Sequence, residues 1–269
     1  MATVLVTGST SGLGRYLALE LARAGHTVVA HGRDAHRTAQ LVARIDQAGG
    51  TTAAVVADLS SLADVRALGL RVGEAHPRLD VLVNNAGLGF GPPGAGRETG
   101  ADGHELRLTV NYLAPVLLTR TLLPVLRAAG PSRVVNVGSA GQEPVDLGDL
   151  DLVRGYDGRT AYRRSKFALA AHTFTLAEEL SGGPVTANVV HPATFMDTAM
   201  VREGGIAPLS SVHDGVAGVL ELAVGGAGGA YNGAYFEGTE EGRAHPSAYD
   251  PRLRAELAAA TEGMLRDFL

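Results

Sequence analysis

The 269-residue sequence has no cysteine, no tryptophan and a single lysine. Without cysteine there is no disulfide, no thiolate metal ligand and no thiol nucleophile, and cysteine usage says nothing about the redox compartment. An excess of basic charge is also missing. The net charge is −5 and the cations are scattered, so nothing points to nucleic acid or an anionic membrane as a partner. No uninterrupted apolar run approaches a membrane span. The chain enters a strand-like run at once, Thr3-Val4-Leu5-Val6-Thr7, with no charged region or long apolar stretch before it. That pattern is not a secretory signal, and the simplest expected location is cytoplasmic.

What is present is a large apolar fraction, 45%, and 36 glycines outside any low-complexity tract. The length fits one α/β domain spanning residues 1–269. Short apolar, β-branched runs fall at 4–7, 27–30, 53–56, 81–83, 134–137 and 186–190, with a weaker one at 234–236. Helical patterns at 13–24, 35–48, 62–75, 102–129, 160–180 and 212–224 alternate with them. Continuous apolar strands separated by helices predict a doubly wound parallel sheet of about seven strands, covered on both faces. Three longer irregular stretches, 87–103, 141–159 and 193–211, follow strand ends, where ligands bind in open α/β sheets. The last is a candidate substrate loop.

The lone Lys166 lies four residues after Tyr162, so a helix would set ammonium and phenol on one face a turn apart. All other cations of the Lys/Arg type are arginine, and arginine is not a substitute for a compact ammonium. The composition suggests that this position requires lysine. No metal site is expected.

The first strand runs into Thr7-Gly8-Ser9-Thr10-Ser11-Gly12-Leu13-Gly14 and then a helix. The spacing is neither the commonest dinucleotide fingerprint nor a P-loop. Its glycines still allow a tight turn and close approach of a pyrophosphate to a helix N-terminus. Gly8, Thr10, Ser11, Gly12, Leu13 and Gly14 are therefore candidate cofactor contacts. After the second strand comes His31-Gly32-Arg33-Asp34. Asp34 is near the distance at which an acid binds a ribose hydroxyl and selects NAD. Arg33 is nearer the strand end and suits a phosphate, so NADP(H) is preferred with NAD(H) possible.

Several further motifs occur in order across residues 3 to about 200: Asn84-Asn85-Ala86-Gly87, Asp58-Leu59, Asn111 in Val110-Asn111-Tyr112, Ser139 after the fifth strand, and Tyr162-x-x-x-Lys166. Together with the glycine loop they resemble the short-chain dehydrogenase/reductase family. The resemblance implies a Rossmann-type fold, a nicotinamide cofactor, and hydride transfer to or from a carbonyl or alcohol carbon. It implies Tyr162 as general acid/base, Lys166 as its activator and ribose ligand, Ser139 as holder of the substrate oxygen, and Asn111 as anchor of a proton-relaying water. Asp58, Leu59, Asn85, Ala86 and Gly87 would contact the cofactor.

Some features depart from that pattern. Ala193 follows Pro192 where the family usually has glycine, and Asp197 takes the place of a nicotinamide-contacting threonine. Pro192, Thr194, Thr198 and backbone groups are candidates there. The 23-residue step from Ser139 to Tyr162 resembles the retinol-dehydrogenase-like branch, as does the segment at 233–250. An apolar substrate pocket could be lined by Leu88, Phe90 and Phe195. The helices at 102–129 and 160–180 could pair subunits into a dimer or tetramer. Two other activities fit the same scaffold: a redox-neutral epimerase, dehydratase or cyclase, and a non-catalytic dinucleotide-binding sensor. The intact Ser139, Tyr162 and Lys166 speak against the sensor.

Overall fold

The computed structural model describes residues 1–269. Strand and helix alternate as the apolar pattern predicts: β1 (Thr3–Val6), α1 (Gly12–Arg23), β2 (Thr27–Gly32), α2 (Ala35–Gln47), β3 (Thr51–Val56), α3 (Leu62–Ala75) and β4 (Val81–Asn84). A short α4 (Leu106–Leu108) then passes through a π-turn (Thr109–Leu113) into α5 (Ala114–Ala129). There follow β5 (Ser132–Val137), α6 (Gly158–Glu179), β6 (Val185–His191), α7 (Ala199–Glu203), α8 (Val212–Ala223), α9 (Ala227–Ala230), β7 (Tyr235–Glu237), β8 (Glu240–Gly242) and α10 (Pro251–Leu265).

The sheet order is β3-β2-β1-β4-β5-β6-β7-β8. Its first seven strands are parallel, and the order reverses between β1 and β4. That reversal opens the crevice in which doubly wound sheets bind ligands. The eighth strand exceeds the expected count. It is antiparallel to β7, Glu237 pairing with Glu240, and the intervening turn places Gly238 at φ +60°.

Alternation along each strand feeds two cores. Leu5, Val29, Leu82, Val134 and Val189 face one cluster with Leu68, Leu117 and Phe167. Val4, Val28, Val83, Val135 and Val190 face the other with Leu17, Leu21 and Val219. Each such side chain contributes about 1.5–3 kcal/mol when fully buried.

The helix expected at 102–129 starts later, at Leu106, because Asp102 is used elsewhere. Its carboxylate accepts from Leu62 N at 2.7 Å, at the head of α3. The Leu106–Ala129 stretch is long and apolar enough by composition to cross a membrane, but most of it is buried against the sheet and neighbouring helices. The patterns above also omit α10. It begins with Asp250 as cap and Pro251 in its first turn, and it packs on α6. Tyr112 Oη and Thr261 Oγ1 are 2.6 Å apart, and Arg254 donates to Glu178 at 2.8 Å. Within one chain α10 thus covers part of the helical surface expected to pair subunits.

Candidate active site

The candidate residues converge on the C-terminal ends of β1, β2, β4, β5 and β6. In the glycine loop the backbone determines the residue types. Gly8 has φ +65° and Gly12 φ +48°, a region that penalises side chains. A Cβ on Gly14 would stand 2.3 Å from Asn85 Nδ2 and 2.4 Å from the Gly8 carbonyl. Asn85 is the tie between loops: its Nδ2 donates to the Thr7 carbonyl at 2.8 Å, and its backbone N–H donates to Thr7 Oγ1 at 3.0 Å. The Ala86 N–H donates to the same hydroxyl at 3.0 Å.

Whether this loop suits a dinucleotide can be tested on α1. The helices α2, α3, α6, α8 and α10 are capped by Asp34, Ser61, Asp157, Ser211 and Asp250. Ser11, at the head of α1, makes no such side-chain bond, and the first turn carries no acid. The N–H groups at this end are therefore available to an anion. Gly8, Gly12 and Gly14 leave the backbone bare there, and the residues present fit a pyrophosphate. The Leu13 side chain is buried in the core, so only its backbone can serve a cofactor. Thr10 and Ser11 remain at the surface of the loop.

His31 joins three strand ends. The Gly8 N–H donates to its Nδ1 at 3.1 Å, and its Nε2 lies 3.2 Å from the Ala57 carbonyl. Nδ1 must accept, so Nε2 carries the proton. Burial holds the imidazole down to about 4, and it is neutral. The adjacent Gly32 is tightly packed, since a Cβ would meet Thr10 Cγ2 at 2.5 Å and Thr38 Oγ1 at 2.6 Å. Its small size serves packing rather than free space for a phosphate. The Asp34 carboxylate caps α2, accepting from Arg37 N at 3.0 Å, and that bond lowers its pKa. Arg33 is exposed and makes no ion pair within the chain. Asp58 is exposed and accepts from Ser60 N at 2.9 Å, whereas the Leu59 side chain belongs to the core.

Tyr162 and Lys166 stand on α6 as their spacing predicts. The lysine is buried, at 5% exposure, and Nζ donates to the Val137 carbonyl at 2.8 Å. One of its three N–H groups is thus used at the end of β5. Burial lowers the Lys166 pKa to about 8. Nζ lies 6.0 Å from the centre of the Tyr162 ring. Burial raises the phenol pKa, and a hydrogen bond with Ser139 works against that rise. The lowering expected from the ammonium is not what the chain by itself produces, because Nζ bends toward Val137. Ser139 Oγ accepts from Gly141 N at 3.1 Å, which leaves its proton free to donate. Gln142 Nε2 donates to the Ser139 carbonyl at 2.8 Å, and Gln142 Oε1 accepts from His245 N at 3.0 Å. The segment after β8 is thereby tied to the serine.

Asn111 lies in the π-turn and is fully buried. Its Oδ1 accepts from Leu88 N at 2.7 Å, and its Nδ2 donates to the Leu88 carbonyl at 3.0 Å and to Ser165 Oγ at 2.9 Å. The amide locks the loop after β4 onto α6. Gly87 passes close by; its Cβ would lie 3.2 Å from Asn111 Oδ1 and 3.5 Å from Lys166 Nζ.

In the loop after β6, Pro192 is buried near Gly215 of α8, where a Cβ would come within 3.2 Å of its ring. Thr194 is exposed. Its Oγ1 lies 3.1 Å from His191 Nε2 and its carbonyl accepts from Ser210 Oγ at 2.7 Å. Thr198, at the head of α7, is the threonine that reaches the glycine loop, with Cγ2 3.4 Å from the Gly12 Cβ position. Asp197 pairs with Arg202. In this loop a left-handed backbone conformation falls on Phe195, at φ +44°, two residues after Ala193.

Sequence reasoning did not single out His31, Gln142, Arg107 or Tyr156. Burial signals His31 and Arg107, and hydrogen bonds between distant segments signal Gln142 and Tyr156; both are visible only in the fold.

Residues 2–206 match the family model described as short chain dehydrogenase. The chain is 41% identical over 211 residues to polyprenol dehydrogenase of Mus musculus, covering 75% of this chain and 62% of that protein. It is 32% identical over 286 residues to human retinol dehydrogenase 13, covering 96% and 82%. Among solved structures it is similar to the Pseudomonas aeruginosa RhlG/NADP active-site complex, with TM-score 0.72, 30% identity, and coverage of 88% and 94%. The chain thus spans less than two thirds of the mouse relative's length.

Proposed function

The chain belongs to the short-chain dehydrogenase family, and on that premise we propose an NADP(H)-dependent oxidoreductase acting on a carbonyl or alcohol carbon of an apolar small molecule. The observation that carries this reading is the meeting of Ser139, Tyr162 and Lys166 beside an uncapped, glycine-lined helix start. The glycine loop and α1 would hold the pyrophosphate, and Lys166 with Asn85, Ala86 and Gly87 would flank the ribose and nicotinamide. A bound nicotinamide supplies or accepts the hydride.

The chain's own part is proton management. Ser139, its Oγ fixed by the Gly141 N–H, donates to the substrate oxygen and stabilises charge there. Tyr162 gives its phenolic proton to that oxygen in reduction and recovers it in oxidation. Lys166 would hold the ribose with its uncommitted N–H groups and would favour the phenolate when it forms. Asn111 is a positioning residue whose side-chain amide is engaged by Leu88 and Ser165, so a proton-relaying water would have to be held by its backbone carbonyl rather than by the amide.

NADP(H) is favoured because Asp34 is occupied by α2 while Arg33 is unpaired. The NADP complex of the P. aeruginosa protein supports the same choice. An apolar substrate agrees with Leu88, Phe90, Met200 and Phe195 around the loop at 193–211, and with relatives named for polyprenol and retinol. The test follows reduced-nicotinamide absorbance over a panel of aldehydes and ketones. Tyr162→Phe is expected to lower kcat by about 10²–10⁴-fold with little change in NADPH affinity. Undiminished turnover in that variant refutes the acid/base role. Product formed without net cofactor oxidation supports the redox-neutral alternative instead.

A further inference from the structure

Beside the site lies a buried ion pair with no part in the proton path above. Arg107 and Glu105 are 3% and 1% exposed. Burying such a pair is a weak route to stability, since apolar residues of similar volume commonly do as well. What the guanidinium holds is therefore informative. Nε donates to the Gly89 carbonyl at 2.7 Å and NH2 to the Phe90 carbonyl at 3.0 Å. NH1 donates to Tyr156 Oη at 2.7 Å and to Glu105 Oε1 at 3.3 Å. The Tyr156 hydroxyl donates in turn to Glu105 at 3.3 Å, and Glu105 Oε2 accepts from Leu108 N at 2.7 Å. A planar fork thus fixes two successive carbonyls of the loop after β4, and it joins them to the segment before α6 through Tyr156.

The same loop is pinned from its other side. A Cβ on Gly158, the first residue of α6, would fall 2.2 Å from the Phe90 carbonyl. Held between Arg107 and α6, Phe90 sets its ring against Tyr162, centroids 4.8 Å apart at 87°, edge to face. Arg159 Cζ stands over the Phe90 ring, 5.7 Å from its centre.

We propose that Arg107 is a positioning residue that fixes Phe90 as a rigid wall against the reacting phenol, where Phe90 determines which carbonyl compounds can approach. Resting on the reading of Tyr162 as the acid/base, the proposal assigns two effects to one clamp. The wall keeps water from the phenol, and it excludes substrates with bulk on that side of the carbonyl.

The experiment compares Arg107→Lys, Phe90→Ala and the double variant. Lysine keeps the charge but cannot grip two carbonyls and a phenol at once. In Phe90→Ala, the ratio of kcat/KM for a branched ketone to that for a slim one is expected to rise on the order of tenfold. Arg107→Lys should raise it in the same direction, and the double variant should add little. Spectroscopic titration of the seven tyrosines, with the Tyr162→Phe trace subtracted, reads the phenol directly and needs no turnover. In both single variants its pKa should fall toward the ordinary value near 10 as water reaches it. The proposal is overturned if Arg107→Lys lowers only Tm and leaves titration and bulk selectivity as in the wild type. Additive effects in the double variant overturn it too. Should Arg107→Lys fail to fold, Tyr156→Phe removes a single partner of the fork, and an unmoved titration there is equally fatal. Failure of the functional reading looks different: wild-type protein then turns over no carbonyl compound, while the titration still reports on the clamp.

Discussion

The two halves of the binding crevice are built on different principles. On the β1–β3 side the work is done by backbone. Gly8 and Gly14 let main chains approach within distances no side chain permits, Gly32 leaves room for the Thr10 and Thr38 side chains, and α1 offers bare N–H groups. On the β4–β6 side the work is done by side chains reaching across long sequence separations, as Arg107 does to Tyr156 and Asn111 to Ser165. A backbone site accepts whatever carries a pyrophosphate. A side-chain site can be reshaped for one substrate or another while its neighbour stays fixed.

Substitutions on either side can break or sharpen this contrast. The largest loss is expected on the side-chain half, at Lys166. Lys166→Arg preserves charge and matches the chain's other cations, yet a planar fork cannot occupy a buried site shaped for an ammonium against the Val137 carbonyl. Turnover should fall by about 10²-fold or more. Burial holds this amine to about 8, below its usual range. Below pH 8 both folded and unfolded chains carry its charge. Between about pH 8 and 10.4 the unfolded chain holds the proton that the folded chain has released, so this group's burial penalty fades and stability rises with pH. NADPH affinity should move the other way, weakening as pH rises through about 8. A fluorescence titration that is flat in wild type, or equally steep in Lys166→Arg, contradicts this.

A smaller effect is expected at Gly14 on the backbone half. Its Cβ would collide with Asn85 Nδ2 and the Gly8 carbonyl, so Gly14→Ala should cost about 1–3 kcal/mol of stability and weaken cofactor binding. Thermal melts with and without NADPH measure both. Unchanged NADPH binding would mean the loop has room that the structure denies it. The smallest effect belongs to Arg33, an exposed cation. Arg33→Ala should weaken NADPH by about tenfold and leave NADH nearly untouched. Equal losses for both, in paired binding titrations, would remove the phosphate role.

The same contrast explains what the sequence could disclose. Close backbone approach demands glycine at fixed intervals, so the loop at 8–14 is legible as a spacing, while Gly87 is legible only through the family motif it ends. Tyr162 and Lys166 are legible because a helix turns spacing into proximity. Asp34 was ambiguous, since its distance from the glycine loop fits a ribose ligand. Only the Arg37 N–H, reached by folding into α2, decides that it is a cap. Arg107 and Tyr156 leave no periodic trace, because their contacts join segments up to 51 residues apart, whereas Phe90 is legible as an apolar pocket candidate and only its place against Tyr162 comes from the fold. The count of about seven strands missed β8, which is three residues long and depends on its hairpin turn. The helix α10 was recoverable from Asp250-Pro251, an ordinary helix-starting pair. Thr194 and Thr198 are not separable by spacing, because only the folded loop shows that Thr198 is the one to reach the glycine loop.

The left-handed turn at Phe195 has a mechanical consequence. An aromatic residue in the left-handed region sits about 1–2 kcal/mol above its relaxed state. With Phe195 at φ +44°, the loop holds a strained turn in place. Leu209 N on the Phe195 carbonyl at 2.9 Å and Ser210 Oγ on the Thr194 carbonyl at 2.7 Å are the latches. Those two hydrogen bonds therefore carry the cost of a left-handed aromatic residue, and the shape of this side of the crevice depends on them.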